Sequence, residues 1–132
     1  MKHHKIANLT ASQTTQSSMV NIPKNPRIML AGSVNSSLVT LEMMIRHGMN
    51  IVGVLGLRPE SARNVSGYQN LEHLSRENGL PYVPFRNIND EESAAFIQNH
   101  QPDLLFVIGL SQLVRDEVLK IPAFGCVGFT QQ

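Results

Sequence analysis

An apolar run near the carboxyl end, PDLLFVIGLSQL from Pro102 to Leu113, constrains the fold of this chain more than any other feature. Five consecutive apolar residues, from Leu104 to Ile108, show no alternation with polar residues. This pattern is typical of a central parallel strand that helices cover on both faces. We expect Gly109 to end the strand at the edge where an α/β sheet binds its ligands, outside the carboxyl ends of its strands.

The size and composition of the chain favour one globular domain in a reducing compartment. Its 132 residues suffice for a hydrophobic core, and 42% of them are hydrophobic. The net charge of +1 gives no sign of a surface that binds nucleic acids. The single cysteine, Cys126, excludes an intramolecular disulfide. No apolar stretch approaches the roughly 20 residues that span a bilayer, and no apolar signal segment follows Lys2 and Lys5. We therefore expect a cytoplasmic protein with no membrane partner.

The spacing of apolar residues predicts strands that alternate with helices. Residues 1–25 are rich in Ser, Thr, Gln and Asn and predict a disordered or loosely ordered arm. The predicted strands are 28–31, 51–57, 80–85, 104–108 and 125–129, and the predicted helices lie near 38–45, 68–78, 91–100 and 112–120. Right-handed crossovers turn this order into an α/β fold, a doubly wound Rossmann-like parallel sheet over 26–132.

A strand order of 3-2-1-4 places the ligand crevice between the first and fourth predicted strands. The first bordering turn, 32–37, combines small polar side chains with the free N–H groups of a helix N-terminus. The candidate substrate-binding residues, for an anion or a polar group, are Gly32, Ser33, Asn35 and Ser36. The alternative is that Asn35 or Ser36 only caps the helix, and the two roles can coexist. The turn matches neither a G-x-G-x-x-G fingerprint nor a Walker loop.

The second bordering turn follows the central strand and offers backbone N–H and C=O groups to the crevice. A flat heterocycle with hydrogen-bonding edges would pair with such groups, and the alternative is an ordinary connection between a strand and a helix. The candidate cofactor-binding residues are Gly109, Leu110, Ser111, Gln112 and Leu113. Tyr68, together with Arg58 and Arg63, is a candidate for phosphate or sugar recognition, against the alternative of solvated loop residues. The histidines show no metal-ligand spacing, so we expect no metal site.

Four segments occur in an order known from one protein family. They are RIMLAGSVNSSLVTLEMMIRHG, IVGVLGL, GLPYVPFRNIND and PDLLFVIGLSQLVRDEVLKIPAFGCVGF, and they cover nearly all of the chain from Arg27 to Phe129. The last joins a PD-plus-strand-plus-glycine element to a helix, an L-x-x-P step and a G-x-V-x-F strand. In these segments the sequence resembles the N-terminal, folate-binding half of the formyltransferase family. The SGYQNL segment, Ser66 to Leu71, is most similar to its sugar-formyltransferase-like branch.

This resemblance implies a cofactor and a reaction. The cofactor would be 10-formyltetrahydrofolate, with its pterin against the turn from Gly109 to Leu113. The turn from Gly32 to Ser37 would face the amine-bearing substrate or its phosphate. The reaction would transfer a formyl group to a primary amine, such as that of an amino sugar or an aminoacyl-tRNA.

The same resemblance assigns no catalytic residue. The family carries an Asn and, two residues later, a His at the end of the strand that here reads GCVGF, and an Asp farther on. The Asn and His positions fall on Gly128 and Thr130, and the Asp has no counterpart. Because formyl transfer needs oxyanion donors and a group that moves protons, we expect a catalytically incomplete chain.

Several explanations of this mismatch stay open. The chain is a C-terminally truncated or frameshifted gene product, an engineered N-terminal part, or a natural non-catalytic ligand-binding module. A nucleotide-binding domain unrelated to folate is a further alternative. An incomplete α/β sheet would expose an edge and apolar faces, so we expect self-association, most simply into a dimer.

Overall fold

The computed structural model of the chain describes residues 6–7 and 22–130, which form one six-stranded sheet with flanking helices. The strands are β1 (Ile6–Ala7), β2 (Ile28–Gly32), β3 (Ile51–Leu57), β4 (Tyr82–Phe85), β5 (Leu104–Leu110) and β6 (Cys126–Thr130). The helices are α1 (Asn35–Arg46), α2 (Glu72–Glu77), α3 (Glu91–His100) and α4 (Asp116–Leu119), with a 3₁₀ turn at Pro59–Ser61. Most of the predicted arm, 1–25, lies outside the described residues.

The strand order is β1-β6-β5-β2-β3-β4, and every pairing is parallel. The predicted doubly wound α/β sheet is therefore confirmed. The central strands β2 and β5 pair in register from Ile28 with Leu104 to Gly32 with Ile108. The chain winds outward in opposite directions from these two strands, so the topological switch point lies between them. At the other end of the sheet, β1 pairs with Cys126 and Val127 of β6.

Two apolar layers explain why the central strand has no polar alternation. Leu105 and Val107 of β5 belong to a layer that includes Ile97 of α3 and Val118 of α4. Ile108 belongs to the opposite layer, with residues of α1 and α2. Since successive side chains of a strand point to opposite faces, both sets of β5 positions must be apolar.

Two of the predicted boundaries around β5 are wrong. The strand does not end at Gly109 but continues to Leu110, with a register shift between Ile108 and Leu110 against β6. Gly109 adopts a φ of 65°, so it forms an irregularity within the strand rather than its end. The next helix begins at Asp116 rather than at Gln112, because the Gln112 side chain is hydrogen-bonded to another loop.

The predicted helix 68–78 is also too long, because α2 begins at Glu72. Tyr68 forms an isolated antiparallel bridge with Val34, and the Gln69 N–H donates to the Ser33 carbonyl at 2.9 Å. These tertiary contacts hold the segment in an extended form, and the Asn70 side chain then accepts from the Glu72 N–H at 2.9 Å.

Asp103, which directly precedes β5, and Arg27 stabilise the amino edge of the sheet. The Arg27 N–H donates to the Asp103 carboxylate at 2.8 Å, and its guanidinium donates to the carbonyls of His100 and Gln101. These bonds satisfy carbonyl groups at the end of α3, where Gln101 has a φ of 45°. An open groove of about 730 Å³, which Asp103 and Lys120 help to line, lies at this edge and not at the carboxyl ends of the strands.

Candidate functional site

The carboxyl ends of β2 and β5 are joined by a buried hydrogen-bond cluster, the serine junction, formed by Ser33, Ser37, Ile108 and Gly109. The Ser33 hydroxyl donates to the Gly109 carbonyl at 2.9 Å, and the Ser33 N–H donates to the same oxygen at 3.2 Å. The Ser37 hydroxyl accepts from the N–H groups of Ser33 and Val34 at 3.0 and 3.2 Å. It donates to the Ile108 carbonyl at 2.5 Å. The junction therefore fixes the two central strands at the switch point.

The serine junction divides the four predicted substrate-binding residues into two groups. Gly32 and Ser33 are buried, and the Ser33 hydroxyl is already engaged with β5. Asn35 and Ser36 are exposed at the start of α1. The alternative role of these two residues, that of capping the helix, is wrong, because the N-cap is Val34 and the side chain that accepts from its N–H is that of Ser37. A substrate contact by Asn35 and Ser36 stays a prediction.

Gly109 occupies a position that a side chain would not fit. Its φ is 65°, in the left-handed region that glycine favours. A Cβ atom there would lie 2.5 Å from Val34 Cγ2, 2.8 Å from Ser36 Oγ and 2.7 Å from Ser37 Oγ. The close approach of β5 to the turn after β2 therefore depends on a glycine at this position.

The predicted cofactor-binding residues after Gly109 have different environments. Leu110 is fully buried, whereas Ser111 is exposed. Leu113 is 60% exposed, which makes it an apolar side chain available to a ligand. The Gln112 side chain is not available, because its Oε1 accepts from the Ile88 N–H at 2.7 Å and its Nε2 donates to the Arg86 carbonyl at 2.9 Å.

A second amide, Asn89, holds the same turn from the loop after β4. Its Nδ2 donates to the Leu113 carbonyl at 2.8 Å and to Asn87 Oδ1 at 3.0 Å, and its Oδ1 accepts from the Arg115 N–H at 2.8 Å. We call the contacts of Gln112 and Asn89 between the two loops the amide bridge. Sequence reasoning missed Asn89, because nothing local indicates that the loops after β4 and β5 meet.

The candidates Tyr68 and Arg58 make contacts within the protein, and a role of these two residues and Arg63 in phosphate or sugar recognition stays a prediction. The Tyr68 hydroxyl donates to the Leu57 carbonyl at 2.6 Å, and burial, followed by the charges of nearby Glu60 and Glu72, raises its pKa. Arg58 forms an ion pair with Glu92 at 3.2 Å. Arg63 is exposed. Tyr68 thus fastens the loop after β3 to the end of that strand.

The resemblance expects a catalytic Asn at position 128, but the backbone there accommodates only glycine. Gly128 has a φ of 154°, and a Cβ atom there would collide with the Val107 carbonyl. Thr130, at the expected His position, pairs with Leu110 at the end of β6. In the described part of the chain, no three His, Cys, Asp or Glu residues are grouped so as to hold a metal ion.

Known proteins decide the family relationship. Methionyl-tRNA formyltransferase of Thermotoga neapolitana is 28% identical over 102 residues, which cover 76% of this chain and 33% of that protein. The proteins of the same name from Thermotoga maritima and Clostridium perfringens are 24% and 27% identical, with the same coverage. The chain is related to the formyltransferase family.

This formyltransferase-related chain spans about a third of the length of the curated relatives that it matches. No family model matches it. None of the helices in the described residues combines the length and apolar character that a bilayer span requires.

Proposed function

We propose that this chain forms the cofactor side of a formyl-transfer site, with 10-formyltetrahydrofolate as the one-carbon donor. The acceptor in the complete reaction is a primary amine, such as that of an amino sugar or an aminoacyl-tRNA, and the cellular location is the cytoplasm. One observation carries the proposal. The turn at Gly109 lies at the topological switch point of the sheet, in a chain that is related to the formyltransferases.

The turn offers two kinds of contact to a pterin. Among the described residues, the backbone N–H groups of Gln112 and Leu113 donate to no acceptor, and we assign them to the hydrogen-bonding edge of the ring. The exposed Leu113 side chain supplies an apolar surface for a ring face. The exposed Asn35 and Ser36 lie at the start of α1, on the other side of the switch point, and we assign them to the acceptor or its phosphate.

The proton-handling half of the reaction has no support in the described residues. A formyl transfer requires donors for the tetrahedral oxyanion and a general base for the amine. Gly128 carries no side chain, and its backbone leaves no room for one. This observation favours a second candidate function, a non-catalytic module that binds the same ligand, or assembles with other chains, through the same crevice.

Calorimetric titration of the chain with a reduced, formylated folate tests the proposal. We expect binding with a one-to-one stoichiometry. Replacing Leu113 with glutamate should weaken it about tenfold, because burying a leucine contributes roughly 1.5–3 kcal/mol and 1.4 kcal/mol corresponds to a factor of ten. The matched control is Met49→Glu. Met49 is also apolar and 40% exposed, but it precedes β3 and so lies at the amino ends of the strands, away from the turn.

Two results would contradict parts of this proposal. A folded chain that binds no reduced folate would exclude the cofactor assignment. Formyl transfer to an amine at a turnover on the order of 1 s⁻¹ or faster, which is ordinary for intact enzymes, would exclude the claim of catalytic incompleteness.

We also propose that the chain self-associates through the part of β6 beyond Val127, next to the short edge strand β1. The opposite edge strand, β4, contains Pro84, which has no N–H to offer to a further strand. In the described part of the chain, β1 pairs with β6 only at Cys126 and Val127. We expect a dimer in sedimentation equilibrium at tens of micromolar, and a monomer at all accessible concentrations would refute this proposal.

A further inference from the structure

The loops after β4 and β5 meet although their strands are not neighbours. The strands β3 and β2 lie between β4 and β5 in the sheet. Three spacings of about 4.8 Å separate the outer two strands by roughly 14 Å. The two loops can therefore meet only above the carboxyl edge of the sheet, next to the switch point. Their contact includes the turn 111–115, which the proposed function assigns to the cofactor.

The amide bridge joins these loops reciprocally. Each amide contributes both its oxygen and its nitrogen to the backbone of the other loop: Gln112 to Arg86 and Ile88, and Asn89 to Leu113 and Arg115. The distances, from 2.7 to 2.9 Å, are those of well-formed hydrogen bonds. The two loops are also anchored below, because Ile88 and Val114 are buried in the same apolar layer.

The contacts of Asn89 determine the orientation of two successive peptide groups. The bond to the Leu113 carbonyl fixes the plane of the Leu113–Val114 peptide, and therefore also the direction of the Val114 N–H. The bond from the Arg115 N–H fixes the plane of the Val114–Arg115 peptide in the same way. One side chain thus holds the backbone immediately after Gln112 and Leu113, whose N–H groups the proposed function assigns to the ligand.

We propose that Asn89 is a positioning residue, which presets the backbone of the turn 111–115 for a ligand without touching the ligand itself. The ligand named here is the reduced folate, so this part of the inference rests on the proposed function. Holding a binding loop in its bound conformation raises affinity, because less conformational freedom is lost when the ligand binds. Asn89 therefore contributes to affinity through the turn that it holds in place.

The first test concerns the unliganded chain and does not depend on folate. Asn89→Ala removes both contacts, and amide hydrogen exchange at Arg115 should become at least tenfold faster than in the wild type. The matched control is Asn78→Ala, since Asn78 also donates to one backbone carbonyl, that of Leu74 at 2.9 Å, but at the end of α2. The control should leave exchange at Arg115 unchanged. Unchanged exchange in Asn89→Ala would overturn the positioning role.

The second test separates positioning from a structural role alone. Asn89→Asp keeps an acceptor for the Arg115 N–H and replaces the donor to the Leu113 carbonyl with a second oxygen. We expect reduced-folate affinity to fall at least tenfold in Asn89→Asp, and less than twofold in an Asn78→Ala variant, with both variants folded by circular dichroism. Equal affinities of Asn89→Asp and the wild type would overturn the inference.

The two tests also separate the inference from the proposed function. If the wild type binds no reduced folate, the cofactor assignment fails, and the exchange rate at Arg115 alone decides whether Asn89 positions the turn. If the wild type binds and Asn89→Asp binds equally well, the cofactor assignment stands and the positioning role fails.

Discussion

Replacing Gly109 with alanine is expected to lower the free energy of unfolding by about 2–5 kcal/mol. The left-handed conformation, with a φ of 65°, costs an ordinary residue roughly 1–2 kcal/mol. The added Cβ atom would lie 2.5 Å from Val34 Cγ2 and 2.7 Å from Ser37 Oγ, and such overpacking costs roughly 1–3 kcal/mol. Ser37 cannot easily yield, because its hydroxyl is held by three backbone groups. Urea denaturation followed by circular dichroism measures the loss.

The matched control for this prediction is Gly79→Ala. Gly79 has a φ of 67°, almost the same as Gly109, but no atom lies within 4 Å of the position of its missing Cβ. Its substitution should therefore carry only the conformational cost of roughly 1–2 kcal/mol. The difference between the two variants measures the close approach at the switch point. Equal losses would show that Gly109 is needed for its backbone angle alone.

The layout of the sheet could be predicted because it depends on local patterns. The runs IVGVLGL and LLFVIGL lack polar alternation, and both became parallel strands covered on both faces. Turn residues between the runs then left few topologies open, because crossovers between parallel strands are right-handed. The prediction that the crevice lies between β2 and β5 followed from that order alone.

The side chains that build the turns could not be predicted, because their partners are far away along the chain. Ser37 and Ile108 are separated by 71 positions, and Gln112 is separated by 24 from the Ile88 N–H that it binds. Local helical spacing suggested a helix from Gln112, but the hydrogen bonds of Gln112 to the loop after β4 override that propensity. The sequence therefore indicated the turn after β5 as a segment, but not the residues that shape it.

The two halves of the candidate site differ in what supports them. The turn after β5 is held by the serine junction on one side and by the amide bridge on the other. The strand β6, by contrast, has Gly128 where the formyltransferase resemblance expects an amide side chain. A Cβ atom at Gly128 would collide with the backbone of Val107. The proposed binding and the proposed transfer therefore depend on different strands, which is why folate binding and formyl transfer need separate assays.

The serine junction leads to the second prediction of a large effect. Replacing Ser37 with alanine should lower the free energy of unfolding by about 2–4 kcal/mol. The substitution deletes one buried hydroxyl that accepts from Ser33 and Val34 and donates to Ile108. A buried polar group left without a partner costs roughly 1–3 kcal/mol. The Ser33 N–H keeps a partner in the Gly109 carbonyl, so the loss concerns mainly Val34 and Ile108.

Ser75→Ala provides the control for the effect of deleting a buried serine hydroxyl. Ser75 is as deeply buried as Ser37, but its hydroxyl donates only to the Leu71 carbonyl at 2.8 Å, which also accepts from the Ser75 N–H. Because that carbonyl keeps a partner, the loss should stay within about 1 kcal/mol. Urea denaturation of both variants decides the comparison. Similar losses at Ser37 and Ser75 would mean that the Ser37 hydroxyl contributes no more to stability than the hydroxyl of an ordinary helical serine.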